Sequence, residues 1–513
     1  MQQQLPASPD LDHLRKQAKS LLKDARAGDT AALQRFIDTL PATRGADFAT
    51  LATRELKLHD AQSVIAREYG CKSWTHLSDL VRIMSNRRTP AEIWVLCAYS
   101  RNPRTQHSAQ RAEATLLRGD PWVACAIGDV DAVRNAIAAN ASWVNTPGGP
   151  HAMPPLVAVT HSRFISEPDL EPGLLDCATL LIDAGANLDV IWSEPEPPQS
   201  QLSALYGATG ITHNTAMAKL LLDAGASPDD NESLYHSLEF SDSTITRLLL
   251  QHGARVSGTN ALARSLDFDK LDDLRLLLDS GGDANERPLL HHAILRGRSL
   301  AHIRTLLDAG ANPRGGNEHG VSVFRFAMAF GRTDIVELLR EVGVDETLDE
   351  AEEFIAACAR ADAPSARAIL SRTPNIVARL SSAQLKTMPE LASTGNIEAV
   401  RTMLALGWPR EIKTAWDATA LNLAVYRGDA VMAALLLDAG ADWRSRHGYN
   451  DNVFGTLSFA SQDEAMAEPA PRDYIGCART LLEHGAPAPN PEVYSFSDDV
   501  ADFFAAVTGV RYR

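Results

Sequence analysis

The chain has 513 residues, 45% of them hydrophobic but only 6% aromatic, and carries a formal net charge of -16 with a pI near 5.4. That balance excludes broad nucleic-acid binding, which needs a dense positive surface to displace counterions from phosphates, and no run of 18 apolar residues is present to span a bilayer. An alanine- and leucine-rich chain with few aromatics is expected to be mostly helical, packed through small residues.

The first residues, "MQQQLPASPD", are polar and lack an apolar h-region, so a cytoplasmic location is expected. Leu11, Leu14, Ala18, Leu21, Leu22 and Ala25 follow the rhythm of an amphipathic helix ending at Gly28-Asp29. A second helix is expected to hold Ala32, Leu33, Phe36 and Ile37 before Pro41. Asp60 then caps "AQSVIAREYG" with Gly70 as its stop, and Ser73 caps a helix whose apolar face is Trp74, Leu77, Leu80, Val81 and Met84. Residues 1–85 thus read as a small helical domain, and 86–111 as a linker. Seven arginines lie between Arg82 and Arg118 against Glu92 and Glu113. A solvated linker and helix face is the favoured reading there, over a nucleic-acid or acidic-partner site.

From residue 112 onward one unit recurs. Glycines closing "LLxxG" stretches stand at 185, 225, 253, 281, 310, 343, 407, 440 and 485, in steps of 40, 28, 28, 29, 33, 64, 33 and 45. The step of 64 is close to twice 32 and is filled by a glycine-free unit, "SARAILSRTPNIV" from Ser365; another unit, "AIGDVDAVRNAIAAN" from Ala126, precedes the first glycine. Apolar residues at helical spacing before each glycine mark it as a helix stop in the left-handed conformation. A unit of about 33 residues is too short for its own core, so neighbours must stack.

The segments that open these units read "SALYGA" at Ser203, "PLLHHA" at Pro288, "SVFRFA" at Ser322 and "TALNLA" at Thr419. The turns inside them read "GDVDAV" (Gly128), "GRTDIV" (Gly331), "GNIEAV" (Gly395) and "GDAVMA" (Gly428). Together these resemble the ankyrin-repeat family, whose units open on Thr-Pro-Leu-His-x-Ala. The resemblance implies an all-α-dominated solenoid of about ten to eleven helix pairs over residues 112–490, with β-hairpin fingers in the connections and a capping helix in 491–513. From the closing glycine to the next family-histidine position the distance is 15 for Gly310 to Arg325 and Gly407 to Asn422, but 10 for Gly225 to Tyr235, Gly253 to Ala263 and Gly281 to His291. Fingers are therefore expected to be truncated across Gly225 to His291. Elsewhere the chain is enlarged by acidic, proline-bearing inserts at Ser162, Val190 and Ala460. The segment "DAQSVIAREYGCKSWTHL" is similar to an N-terminal module found on bacterial ankyrin-repeat proteins, which implies a bacterial source.

No catalytic set stands out. The six cysteines are at least 26 positions apart, which excludes CxxC motifs and fits buried thiols in a reducing compartment. HExxH, GxSxG and GxxxxGK[ST] are absent. His291 occupies the family's signature position, which implies a structural bond to backbone across units rather than a metal site with His292 and His302. The carboxylate pairs Asp229-Asp230, Asp272-Asp273 and Glu352-Glu353 read as helix-start capping. No catalytic residue, metal or cofactor is expected. What remains is the extended surface that repeat arrays use for binding. Its best candidates are Trp443, Arg446, His447 and Tyr449 in "DWRSRHGYNDNVF", residue types suited to interface anchoring. Asn317, Glu318 and His319 in "GGNEHG" follow. The expected function is non-enzymatic protein recognition by a monomer, with a basic partner favoured by complementarity to the net charge, and with nucleic acid and membrane disfavoured. The alternatives are a regulatory or substrate-selecting subunit with activity in the N-terminal domain, a secreted effector, and nucleic-acid binding by the arginine-rich segment.

Overall fold

A computed structural model describes residues 9–39, 43, 48, 51, 56–69, 74, 77, 81, 98–99, 120–149, 151–193, 202–462, 471–491 and 493–510. The chain divides into two compact units, residues 1–237 with 251–254, and residues 238–250 with 255–513.

The first unit begins with helices Leu11–Arg26, Thr30–Thr39 and Leu58–Glu68. Their apolar faces meet in a core of Leu14, Ala18, Leu21, Phe36, Val64 and Ile65, joined by Leu51, Trp74, Leu77 and Val81. Gly28 ends the first helix at φ 82°, as its position after Ala25 predicts. Arg35 donates two hydrogen bonds of 2.7 Å to the Glu68 carboxylate, pinning the second helix to the third. The third helix starts earlier than expected. Lys57 is its cap residue, and Asp60 lies one turn in, where its carboxylate accepts from the Lys57 N–H at 2.8 Å. The expected stop at Gly70, the cap at Ser73, Leu80, Met84 and all seven arginines of 82–118 lie outside the described residues.

Helix pairs follow: Pro121–Ile127 with Val130–Ala139, Pro155–Thr160 with Glu171–Asp183, and Ala204–Tyr206 with Thr215–Asp223. Each second helix that begins on Asp129 or Asn214 has that side chain accepting from a backbone N–H of its first turn. The insert after Val190 is framed by a two-residue antiparallel ladder, Ile191 opposite Ser203 and Trp192 opposite Leu202.

In the second unit the pairs are Ala261–Asp267 with Leu271–Asp279, Leu289–Leu295 with Leu300–Asp308, Val323–Ala329 with Thr333–Glu341, and Glu350–Ala359 with Ala363–Arg372. Thr387–Ser393 with Ile397–Ala405, Ala420–Tyr426 with Ala430–Asp438, and Val453–Gln462 with Tyr474–Glu483 complete them. First helices pack in series, 261–267 on 289–295, on 323–329, on 350–359, and later 387–393 on 420–426 on 453–462. The last helix, Asp498–Thr508, packs on 474–483 and buries Val500, Ala501 and Phe504.

One local motif explains why "LLxxG" recurs. Every closing glycine is left-handed, with φ between 80° at Gly485 and 100° at Gly225. After Gly310, Gly343, Gly407 and Gly440 the next residue donates its N–H back to the carbonyl five positions earlier, Ala311 to Leu306, Val344 to Leu339, Trp408 to Met403 and Ala441 to Leu436. These are Schellman stops, in which the apolar residue four before the glycine both accepts that bond and packs inward. Leu277, Leu306, Leu339, Met403, Leu436 and Leu481 at that position are completely buried.

Candidate recognition surface at the finger tips

Three connections of the second unit close in the same five-residue tip. In residues 317–321, 414–418 and 447–451 the first N–H donates to the fifth carbonyl, at 3.0, 2.9 and 2.9 Å. The fourth N–H returns to the first carbonyl, at 2.9, 3.2 and 2.8 Å. Such a reversal needs a left-handed fourth residue, supplied by Gly320 (φ 74°), Asp417 (φ 55°) and Asn450 (φ 60°). The residue after each tip, Ser322, Thr419 or Asn452, begins the next helix by accepting a backbone N–H. The third residue stands at the apex: His319, Trp416 and Tyr449 in turn.

His291 anchors the first tip. Its Nε2 donates to the Val321 carbonyl at 2.8 Å, the backbone bond across units that its position implies. Burial pushes its pKa below the ordinary imidazole value, against the pull of that carbonyl. Asn317 is spent inside the turn, its Oδ1 accepting from the N–H groups of His319 and Val321 at 3.0 Å each. Glu318 and His319 are exposed, with Nε2 of His319 3.8 Å from the Glu318 carboxylate.

The other two tips are tied together and carry an aromatic array. Gly448 donates to the Trp416 carbonyl at 2.7 Å, and Lys413 Nζ to the Arg446 carbonyl at 2.6 Å. Trp416 and Tyr449 rings lie 6.4 Å apart, and Trp416 lies 5.6 Å from Tyr426 at the end of helix 420–426. Tyr426 in turn stacks on Phe459 of helix 453–462, at 6.3 Å and 8° between planes. These four rings occupy equivalent places in consecutive units, since Trp416 precedes Tyr449, and Tyr426 precedes Phe459, by 33 residues. Tyr449 is 79% exposed, Phe459 61% and Trp416 39%. Trp416 also holds φ 50° and ψ 26°, a left-handed conformation that a bulky L-residue adopts only at a cost.

The remaining expected residues lie in and beside this tip. His447 is buried between the Trp416 and Tyr449 rings, at 6.5 and 5.9 Å. Trp443 is half-buried, edge-on to Phe454 at 6.0 Å, with the Arg444 guanidinium 4.4 Å over its ring. Arg446 donates to the Asn450 side-chain oxygen at 2.9 Å and so braces the left-handed residue. Sequence reasoning named Tyr449 and His447 but missed Trp416, Tyr426 and Phe459. The signal that finds them is the 33-residue step itself, applied to aromatic positions rather than to glycines.

The carboxylate pairs are engaged locally. Asp230 accepts from the Ser233 hydroxyl and from two N–H groups of the following helix, and Glu352 forms a capping box with Asp349 while pairing with Arg325. Cys125, Cys177, Cys358 and Cys477 are buried free thiols, and burial pushes Cys177 and Cys358 up to about 12.

No protein-family model matches the chain, and no curated protein matches it. Among solved structures it is similar to the crystal structure of the human ASB11 ankyrin repeat domain, with 20% sequence identity and a TM-score of 0.21, over 45% of this chain and 99% of that one.

Proposed function

We propose that this chain is an ankyrin-type repeat protein that recognises a protein partner without catalysing a reaction, through the fingers and first helices of its second unit. On this reading residues 112–490 are the repeat array, closed by the helix in 491–513, with a helical module in 1–85 joined through 86–111. The serial packing of short helix pairs, the Schellman stops and the His291 bond to the next finger support it. One observation carries the functional part. Four aromatic rings at equivalent places in consecutive units stand about 6 Å apart, and three of them are substantially exposed. Clustered exposed aromatics are the residue type from which interface anchors are drawn. Lys413, Arg446 and Asp417 flank the rings with mixed charge. The partner is therefore held chiefly by apolar and aromatic side chains, and the net charge of -16 favours basic residues around them.

Affinity capture from the native cell, using the intact chain and single alanine variants, tests this. Trp416→Ala, Tyr449→Ala and Phe459→Ala should each weaken retention of one shared partner at least about tenfold, the effect of a modest anchor. Val431→Ala, at a residue 66% exposed on a second helix, should leave retention unchanged. Equal capture by all four variants would overturn the assignment.

A further inference from the structure

The tip that carries Tyr449 differs from its counterpart at 317–321 in one chemically decisive way. In both, the first side chain accepts a hydrogen bond from the apex N–H two residues on. Asn317 does this with an amide oxygen, at 3.0 Å from the His319 nitrogen. His447 does it with Nδ1, at 3.3 Å from the Tyr449 nitrogen. An amide oxygen accepts at every pH, but an imidazole nitrogen accepts only while unprotonated. The bond also sets the tautomer: Nδ1 is bare and Nε2 carries the hydrogen, in a buried position.

We propose that the 447–451 finger is an acid-responsive latch: protonation of His447 at Nδ1 sets two donors against each other, releases the Tyr449 amide and lets the apex leave its place beside Trp416. The groups facing the imidazole are few. Asp451, at the end of the same tip and bonded to the Tyr494 hydroxyl at 2.7 Å, favours the cation, as does the Asn452 backbone. Lys413 on the neighbouring finger opposes it. Burial outweighs the favourable contributions and pushes the His447 pKa below its ordinary value. The latch is therefore closed at neutral pH and opens as pH falls below about 6.5, the unperturbed imidazole value. Loss of Tyr449 from the binding surface is the functional consequence, and that consequence rests on the recognition reading above; the structural step does not.

Hydrogen–deuterium exchange of the full chain, followed by mass spectrometry between about pH 8 and about pH 5 across the imidazole range, reads the step with no partner present. Rates normalised to intrinsic exchange are compared between the tips 447–451 and 317–321. In the wild type, protection of 447–451 should fall several-fold on acidification while 317–321 holds. In His447→Asn, which restores the non-titrating acceptor used by Asn317, both tips should hold. Parallel behaviour of the two tips in the wild type would overturn the latch and leave the recognition surface untouched, as would the same acid response in His447→Asn. Should the variant disturb the tip at neutral pH, the wild-type comparison between tips still decides.

Discussion

Trp416 and Asp417 are consecutive left-handed residues, neither of them glycine. Strain of this kind, on the order of 1–3 kcal/mol per residue, persists where surrounding structure holds it and concentrates at functional sites. Here the bond from Gly448 to the Trp416 carbonyl and the edge-on contact with Tyr426 hold it. No sequence rule marks a tryptophan for such a conformation, which is why the apex was legible at Tyr449 and not at Trp416. Trp443 is named by its residue type, and the structure sets it half-buried and edge-on to Phe454. Another residue gives a pH-dependent prediction. Burial raises the Glu390 carboxyl to about 7, with Lys386 pulling the other way. Its folded pKa lies above the unfolded one, so the folded state binds the extra proton, and stability declines as pH rises from about 4.5 to about 7. Glu390→Gln should therefore raise stability by about 1–3 kcal/mol above pH 7 and change little near pH 4.5, read as the urea midpoint at the two pH values.

At the scale of the element, two classes of left-handed glycine do different work. Gly310 ends a second helix at φ 89° with open space where a Cβ would stand. Gly331 joins the helices of one pair at φ 68°, and a Cβ there would lie 2.6 Å from the Ala359 carbonyl of the next pair. Gly310→Ala should thus cost only the backbone term, about 1 kcal/mol. Gly331→Ala adds a backbone clash and should cost about 3 kcal/mol, both measured by urea denaturation followed by circular dichroism. The stops were legible because they are local: a leucine, three more residues and a glycine specify the whole motif. Connection length was legible too. The connections after Gly310 and Gly407, each five residues longer than that after Gly281, carry the 317–321 and 414–418 tips. What the side chains of those tips do was not legible, because it depends on the neighbouring finger 33 residues away.

For the molecule as a whole, short helix pairs with small residues account for the composition. Alanines such as Ala327, Ala357, Ala392, Ala424 and Ala460 are buried in first helices and let successive pairs approach closely. Aromatic residues, scarce at 6%, then cluster at the C-terminal end of the second unit, where Phe454, Phe496 and Phe504 fill the last core layer and Trp416, Tyr426, Tyr449 and Phe459 line its surface. A chain that places some of its few large rings in solvent at repeat-equivalent positions exposes a patch that calls for a partner. The most direct test is photo-crosslinking in the native cell from a photoreactive residue at position 449, with position 431 as the reference. One protein should be captured from 449, not from 431, and lost when Phe459→Ala is combined with the probe. Capture of the same set of proteins from both positions would contradict it.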